Sequence, residues 1–126
     1  MGHIEIEITI SNIEGTKSTK TKALIDTGAT FTIIPEKLAR ELEIKPTGEK
    51  IKVITAKGQD KLELAHALIE IHGKKRITPI LISKHIDKVL IGIITLEAAQ
   101  LKVNPITGKL EEHTALLYQT EGAKII

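Results

Sequence analysis

A carboxylate, a hydroxyl and a glycine stand in a row at Asp26, Thr27 and Gly28, and apolar segments flank them at 23–25 and 33–34. An aspartate between apolar segments is costly to bury unless another group shares its proton or pairs with its charge. Such a carboxylate is suited to moving protons, so Asp26 is the predicted catalytic residue. The alternative is a solvated or turn-capping aspartate, because Asp-Thr-Gly is also ordinary turn chemistry.

The residue types do not support catalysis by cysteine or serine, phosphate binding by a glycine loop, or metal binding. The chain has no cysteine, which excludes disulfides, thiolate catalysis and cysteine-ligated metals. None of the serines stands in a nucleophile-elbow context, and there is no glycine loop for phosphate. The five histidines lack the spacing of metal ligands, so we expect no metal and no cofactor.

Length and composition fit one ordinary globular domain. The chain has 126 residues, of which 41% are hydrophobic and 27% are charged. The formal net charge of +2 is too small to indicate a nucleic-acid or membrane partner, and Lys74-Lys75-Arg76 is interpreted as a solvated edge. No apolar run reaches the length of a membrane span, and no signal-peptide pattern is present. We expect a cytoplasmic protein.

The elements around Asp26 are predicted from periodicity and turn residues. Strict alternation over residues 4–10 predicts a half-buried strand. A second strand at 19–25 is expected to pair with it as a hairpin and to end at Asp26. Residues 30–34 form a third short strand. Residues 35–43 form a short helix, with Pro35 at its first position.

The rest of the chain continues the same pattern of short strands and turns. A second short helix is predicted from a cap at Thr95 through Leu101. A polar turn is predicted at 57–60, and the tail at 118–126 is expected to be loose. Further apolar or alternating segments predict strands at 51–56, 61–71, 76–82, 89–92, 102–104 and 109–117. The pattern is typical of one domain over residues 1–126, with a core at about 4–117, built as a closed, mostly antiparallel β barrel or a sandwich.

Three segments in this order resemble the retropepsin-like aspartic proteases. Asp26-Thr27-Gly28-Ala29 between apolar residues is similar to their active-site segment. The hairpin with its tip near 55–58 resembles their flap, and Val89-Leu90-Ile91-Gly92 resembles the element that crosses behind the catalytic loop. The resemblance implies a closed antiparallel β barrel of that type with two short helices. Viral members often pair an acid with an arginine where this chain has Thr30 and Ile93, so the resemblance is to the cellular or archaeal branch.

The resemblance also implies an activity and a set of roles. Asp26 would act in a dyad that activates water for peptide hydrolysis, and a second copy of the chain would supply the other aspartate across a two-fold axis. Thr27 and Gly28 would support the catalytic loop, and Ile91 and Gly92 would lie behind it. A peptide or unfolded protein would be the substrate, and residues 103–117 would contribute to the dimer interface. The implied substrate-binding residues are Ala29, Thr30, Phe31, Ala56, Lys57 and Gly58.

Two other functions remain open at this point. A catalytically silent barrel of the same type could bind peptides or act as a scaffold dimer, because fold alone does not establish turnover. A small-ligand barrel with another use for Asp26 is the second alternative. Without the other motifs, the hairpin at 56–58 would be any surface hairpin, and 89–92 is a core strand under every interpretation.

Overall fold

The computed structural model describes residues 4–114. Within them, nine strands and two short helices follow one another along the chain. Their bounds are β1 (Ile4–Ser11), β2 (Ser18–Ile25), β3 (Thr32–Pro35), α1 (Glu36–Glu41), β4 (Lys50–Thr55), β5 (Gly58–Ile71), β6 (Lys74–Ser83), β7 (Val89–Ile91), α2 (Ile93–Ala98), β8 (Leu101–Val103) and β9 (Leu110–Glu112).

Six strands close into a barrel in the order β1-β2-β7-β3-β6-β5, and β5 returns to pair with β1. Most pairs are antiparallel, but β2 with β7 and β3 with β6 are parallel. β4 lies outside the ring and pairs with the first half of β5. The predicted closed barrel with two short helices is confirmed.

Alternating side chains form the core, as the sequence predicts for β1. Ile8 and Ile10 are buried, whereas Glu5 and Glu7 are exposed. The β1–β2 hairpin pairs in full from Ile4 to Ser11. The hydrophobic core cluster consists of aliphatic side chains, and each fully buried isoleucine or leucine side chain contributes about 1.5–3 kcal/mol.

The two helices are shorter than predicted, and both begin without a side-chain cap. Pro35 precedes α1 as its N-cap residue instead of filling its first position. α2 begins after Gly92, so the predicted cap at Thr95 is wrong, because this threonine is buried inside the helix. α2 also ends before Leu101, which begins β8. Among residues 4–114 no helix is long and apolar enough to cross a membrane.

Two turns and the end of the last strand also differ from the predictions. The β4–β5 turn consists of Ala56 and Lys57 alone, since residues 58–60 already pair with β4. The β5–β6 turn is likewise reduced to His72 and Gly73, both with positive φ. β9 ends at Glu112, and the remainder of its predicted strand from 115, like the predicted loose tail, lies outside the described residues.

Candidate active site

Asp26 lies directly after β2, where the neighbouring β7 fixes its backbone. β2 and β7 run parallel with Ile25 opposite Ile91, and the Asp26 N–H donates to the Ile91 carbonyl at 2.9 Å. Within the turn, the Ala29 N–H donates to the Asp26 carbonyl at 3.0 Å and the Gly28 N–H donates to Asp26 Oδ1 at 3.0 Å. The backbone therefore determines the direction of the carboxylate.

The carboxylate is more accessible than its apolar flanks suggest. Ile25 is buried, but Asp26 is half-buried in the single chain, and Thr27 and Gly28 are exposed. The turn thus presents a carboxylate and a hydroxyl at the surface of the barrel. Such an arrangement can exchange protons with a bound molecule or face another protein surface.

The chain leaving the turn is held by the first amides of α2. The Ile93 N–H donates to the Ala29 carbonyl at 2.8 Å, and the Ile94 N–H donates to the Thr30 carbonyl at 3.0 Å. The first N–H groups of a helix have no partner within the helix, so the loop carbonyls satisfy them here. This pairing explains why α2 needs no capping side chain.

Gly92 is the closest point between the element behind the loop and the loop itself. A Cβ at this position would lie 2.5 Å from the carbonyl carbon and oxygen of Phe31 and 2.9 Å from the carbonyl oxygen of Ala29. Any larger residue would push the two backbones apart. The sequence-predicted pair Ile91 and Gly92 is therefore brought into direct contact with the loop.

Three buried threonine hydroxyls continue inward from Gly92. The Gly92 N–H donates to Thr32 Oγ1 at 3.0 Å, Thr32 Oγ1 lies 2.6 Å from Thr95 Oγ1, and Thr95 Oγ1 lies 3.1 Å from Thr78 Oγ1. Each threonine is 0–1% exposed. This cluster was not predicted from the sequence. The available signal was a hydroxyl between two apolar residues, as in Phe31-Thr32-Ile33 and Ile94-Thr95-Leu96.

The predicted substrate-binding residues fall on two separate elements. Ala29 and Phe31 are half-buried and Thr30 is exposed, all immediately after the Asp26 turn. Ala56, Lys57 and Gly58 form the exposed tip of the β4–β5 hairpin, hereafter the flap. The first set is joined to Asp26 by the contacts described above, whereas the flap extends from the barrel through β5.

The single chain also has clefts away from Asp26. One, of about 410 Å³, lies beside Asn12 and His66, and another, of about 600 Å³, lies between Lys22 and Asp87. Neither is lined by Asp26 or by the flap tip. Within residues 4–114 no three histidine or acidic side chains converge as a metal site would require.

Comparison with known families identifies the chain by its sequence. Residues 11–98 match the family model described as "gag-polyprotein putative aspartyl protease", and this segment covers more than half of the chain. It includes the Asp26 turn, the flap, Gly92 and all of α2. A comparison with curated protein sequences finds no match.

Solved structures show the same fold. EIAV protease in complex with the inhibitor HBY-793 aligns with a TM-score of 0.60 at 18% identity, covering 76% of this chain and 86% of the other. A retropepsin-like aspartic protease from Rickettsia conorii aligns with a TM-score of 0.57 at 21% identity, covering 82% of this chain and 85% of the other. Simian Foamy Virus (mac) protease aligns with a TM-score of 0.52 at 26% identity, covering 71% of this chain and 87% of the other. The chain belongs to the retropepsin-like aspartic proteases, a family of peptide hydrolases.

Proposed function

We propose that the protein is a homodimeric aspartic endopeptidase in which Asp26 from each of two copies forms the catalytic dyad. The observation that carries the proposal is the Asp26 turn. Its carboxylate is directed by a hydrogen bond from Gly28 and is half-buried at the surface of a turn that β7 and α2 hold in place.

The chemistry requires two carboxylates, and one chain supplies only one in this setting. The other aspartates are Asp60, exposed on the flap strand β5, and Asp87, exposed in the loop before β7. Neither lies in an apolar, backbone-held turn. A second Asp26 must therefore come from a second copy, and an isologous two-fold dimer places the same residue of both chains at the axis.

In the dyad, one proton is shared between two carboxylates because two negative charges about 3 Å apart cannot both form easily. The ionised carboxylate takes a proton from a bound water, which attacks the scissile carbonyl carbon. The protonated carboxylate donates its proton to the carbonyl oxygen, which gives a gem-diol. The C–N bond then breaks as the first carboxyl group returns its proton to the nitrogen and the second carboxylate takes a proton from a diol hydroxyl, so that an acid and an amine leave and the shared proton is restored.

The loop around Asp26 supplies the supporting roles. Thr27 is exposed beside Asp26, so its hydroxyl can hydrogen-bond across the dimer axis to the other copy. Gly28 carries no side chain, which lets a substrate backbone approach the carboxylates. Ala29, Thr30 and Phe31 would contact the peptide on either side of the cut bond, and their mainly apolar character favours apolar substrate residues.

The flap would cover the bound peptide. Its tip is exposed, and Gly58 has φ +121, a conformation that side chains resist. Among the described strands this hairpin joins the barrel through β5 alone. Such a hairpin can open and close over the dyad, which admits substrate and then excludes water. The cytoplasmic location expected from composition stays a prediction.

The test is cleavage of an unfolded protein and of a pooled peptide library between acid and neutral pH. Asp26→Asn should lower turnover on the order of 10³-fold or more while the protein remains dimeric by sedimentation. Asp87→Asn is the matched control, because it removes the same charge from an exposed loop, and it should cleave like the parent.

Three results would oppose the proposal. Cleavage that survives in Asp26→Asn would show that another residue or a contaminant acts. A chain that stays monomeric at all concentrations would lack the second carboxylate. A folded dimer that binds peptides without cleaving them at any pH would instead identify the silent peptide-binding barrel.

A further inference from the structure

The three buried threonines form one continuous hydrogen-bond chain behind the catalytic loop. It starts at the Gly92 N–H, passes through Thr32, Thr95 and Thr78, and ends at the Pro79 carbonyl, which lies 3.4 Å from Thr78 Oγ1. The chain joins four elements, since Thr32 belongs to β3, Thr95 to α2 and Thr78 to β6, while Gly92 follows β7.

The direction of this chain follows from counting protons. A hydroxyl has one proton to donate, and Thr32 Oγ1 already accepts from the Gly92 N–H. If Thr32 donates to Thr95, Thr95 donates to Thr78 and Thr78 donates to Pro79, every hydroxyl donates once. In the reverse direction the Thr32 proton would have no further acceptor among the described residues. Unpaired buried donors are costly, and the outward direction from Gly92 is the one that gives every hydroxyl proton an acceptor, the last of them at the long distance of 3.4 Å.

Thr95 is the central residue of this hydrogen-bond chain. It contacts both other hydroxyls, and it lies in α2, whose first amides hold the Ala29 and Thr30 carbonyls. α2 is fixed to β6 a second time, because Arg76 Nε donates to the Ala98 carbonyl at 2.7 Å. The position of α2 therefore determines how Gly92 presses against the loop that follows Asp26.

We propose that Thr95 is a positioning residue for the reaction, acting through Thr32 and Gly92 on the direction of the Asp26 carboxylate. This inference rests on the proposed function. Chains of hydroxyl hydrogen bonds polarise and strengthen one another in a dry interior. Reacting groups must be held within fractions of an ångström. Loss of a hydrogen bond between these threonines should therefore affect turnover more than substrate binding.

The experiment compares two substitutions of the same residue. Thr95→Val keeps the shape but removes the hydroxyl, leaving the Thr32 proton without an acceptor. Thr95→Ser keeps the hydroxyl and removes a methyl group. We expect Thr95→Val to lower kcat about tenfold with little change in KM, whereas Thr95→Ser should restore kcat to within roughly threefold of the parent.

Amide hydrogen exchange provides a readout that does not require turnover. The Gly92 amide donates into the chain, so its exchange should be about tenfold faster in Thr95→Val and close to the parent rate in Thr95→Ser. Thr78→Val, one link further from Gly92, should give a smaller change in both readouts. If Thr95→Val does not fold, Thr78→Val still tests the hydrogen-bond chain.

The outcomes separate this inference from the proposed function. A parent without peptidase activity would overturn the proposed function, and exchange at Gly92 would still report on the chain. An active parent whose Thr95→Val and Thr95→Ser variants have equal kcat would overturn the positioning role. Equal Gly92 exchange in the parent, Thr95→Val and Thr78→Val would overturn the hydrogen-bond chain itself.

Discussion

The Asp26 loop and the flap are held in opposite ways. The loop is fixed by three inter-element backbone hydrogen bonds, two of them from the first amides of α2, and by the close contact at Gly92. Within residues 4–114 the flap tip is held by local bonds alone, as Thr55 Oγ1 accepts from the Lys57 N–H and donates to the Gly58 carbonyl. The tip residues are all exposed.

The difference follows the demands of the proposed reaction. Carboxylates that share a proton need a fixed separation, and the Asp26 loop is accordingly hydrogen-bonded to β7 and α2. A cover for the substrate must move, so it is built as a hairpin whose outer strand β4 has no second neighbour among the described strands. Mobile elements have few buried contacts, and rigid sites have buried, mutually satisfied ones.

The largest expected effect comes from breaking the contact behind the loop. Gly92→Ala places a methyl group 2.5 Å from the Phe31 carbonyl, which forces two backbones apart. We expect a loss of about 3 kcal/mol in the free energy of unfolding, measured by urea titration, together with loss of cleavage. Gly73→Ala is the control, because that turn glycine has φ +78 but open space, and it should cost about 1 kcal/mol. Equal losses of unfolding free energy in the two variants would contradict a close contact at Gly92.

A smaller effect is expected at the flap tip. Gly58→Ala forces a side chain into φ +121, but the strain is confined to a hairpin that can open without unfolding the barrel. We expect KM to rise several-fold and global stability to fall by less than about 1 kcal/mol. Gly15→Ala, with φ +76 and open space in the β1–β2 turn, should leave KM unchanged. A rise in KM for both variants would argue against a flap.

The smallest effect on stability is expected at the exposed side of the flap. Ile54 is 84% exposed, so Ile54→Ser should change the free energy of unfolding by no more than about 0.5 kcal/mol. If Ile54 covers bound peptide, KM should rise about threefold, equivalent to ~0.7 kcal/mol. Ile77→Ser is the matched control, since Ile77 is 61% exposed on β6. Equal kinetics in both variants would remove Ile54 from substrate contact.

Local features of the fold were predictable because they depend on neighbouring residues. The alternation in β1, the hairpin to β2 and the position of Asp26 after that hairpin all follow from periodicity and turn residues. Each of these predictions is confirmed.

Features that depend on distant residues were not predictable in the same way. The parallel pairs β2–β7 and β3–β6 join segments that the sequence places far apart. Thr95 has the residue type of a helix cap, but its hydroxyl finds Thr32 and Thr78 instead. Loop carbonyls already satisfy the α2 amides, so the capping role was not needed. Such tertiary partners leave no periodic signal.

The closure of the barrel has a consequence for how the chain folds. Only three residue pairs join β1 to β5, including Thr9 with Glu70 and Ser11 with Leu68, and they bring together positions about sixty residues apart. Contacts of such sequence separation form late, because the loop entropy must be lost before they contribute. We therefore expect this seam to close last, after both flanking hairpins. Until then β1 offers an unpaired edge, so newly made chains are most prone to aggregate at this stage.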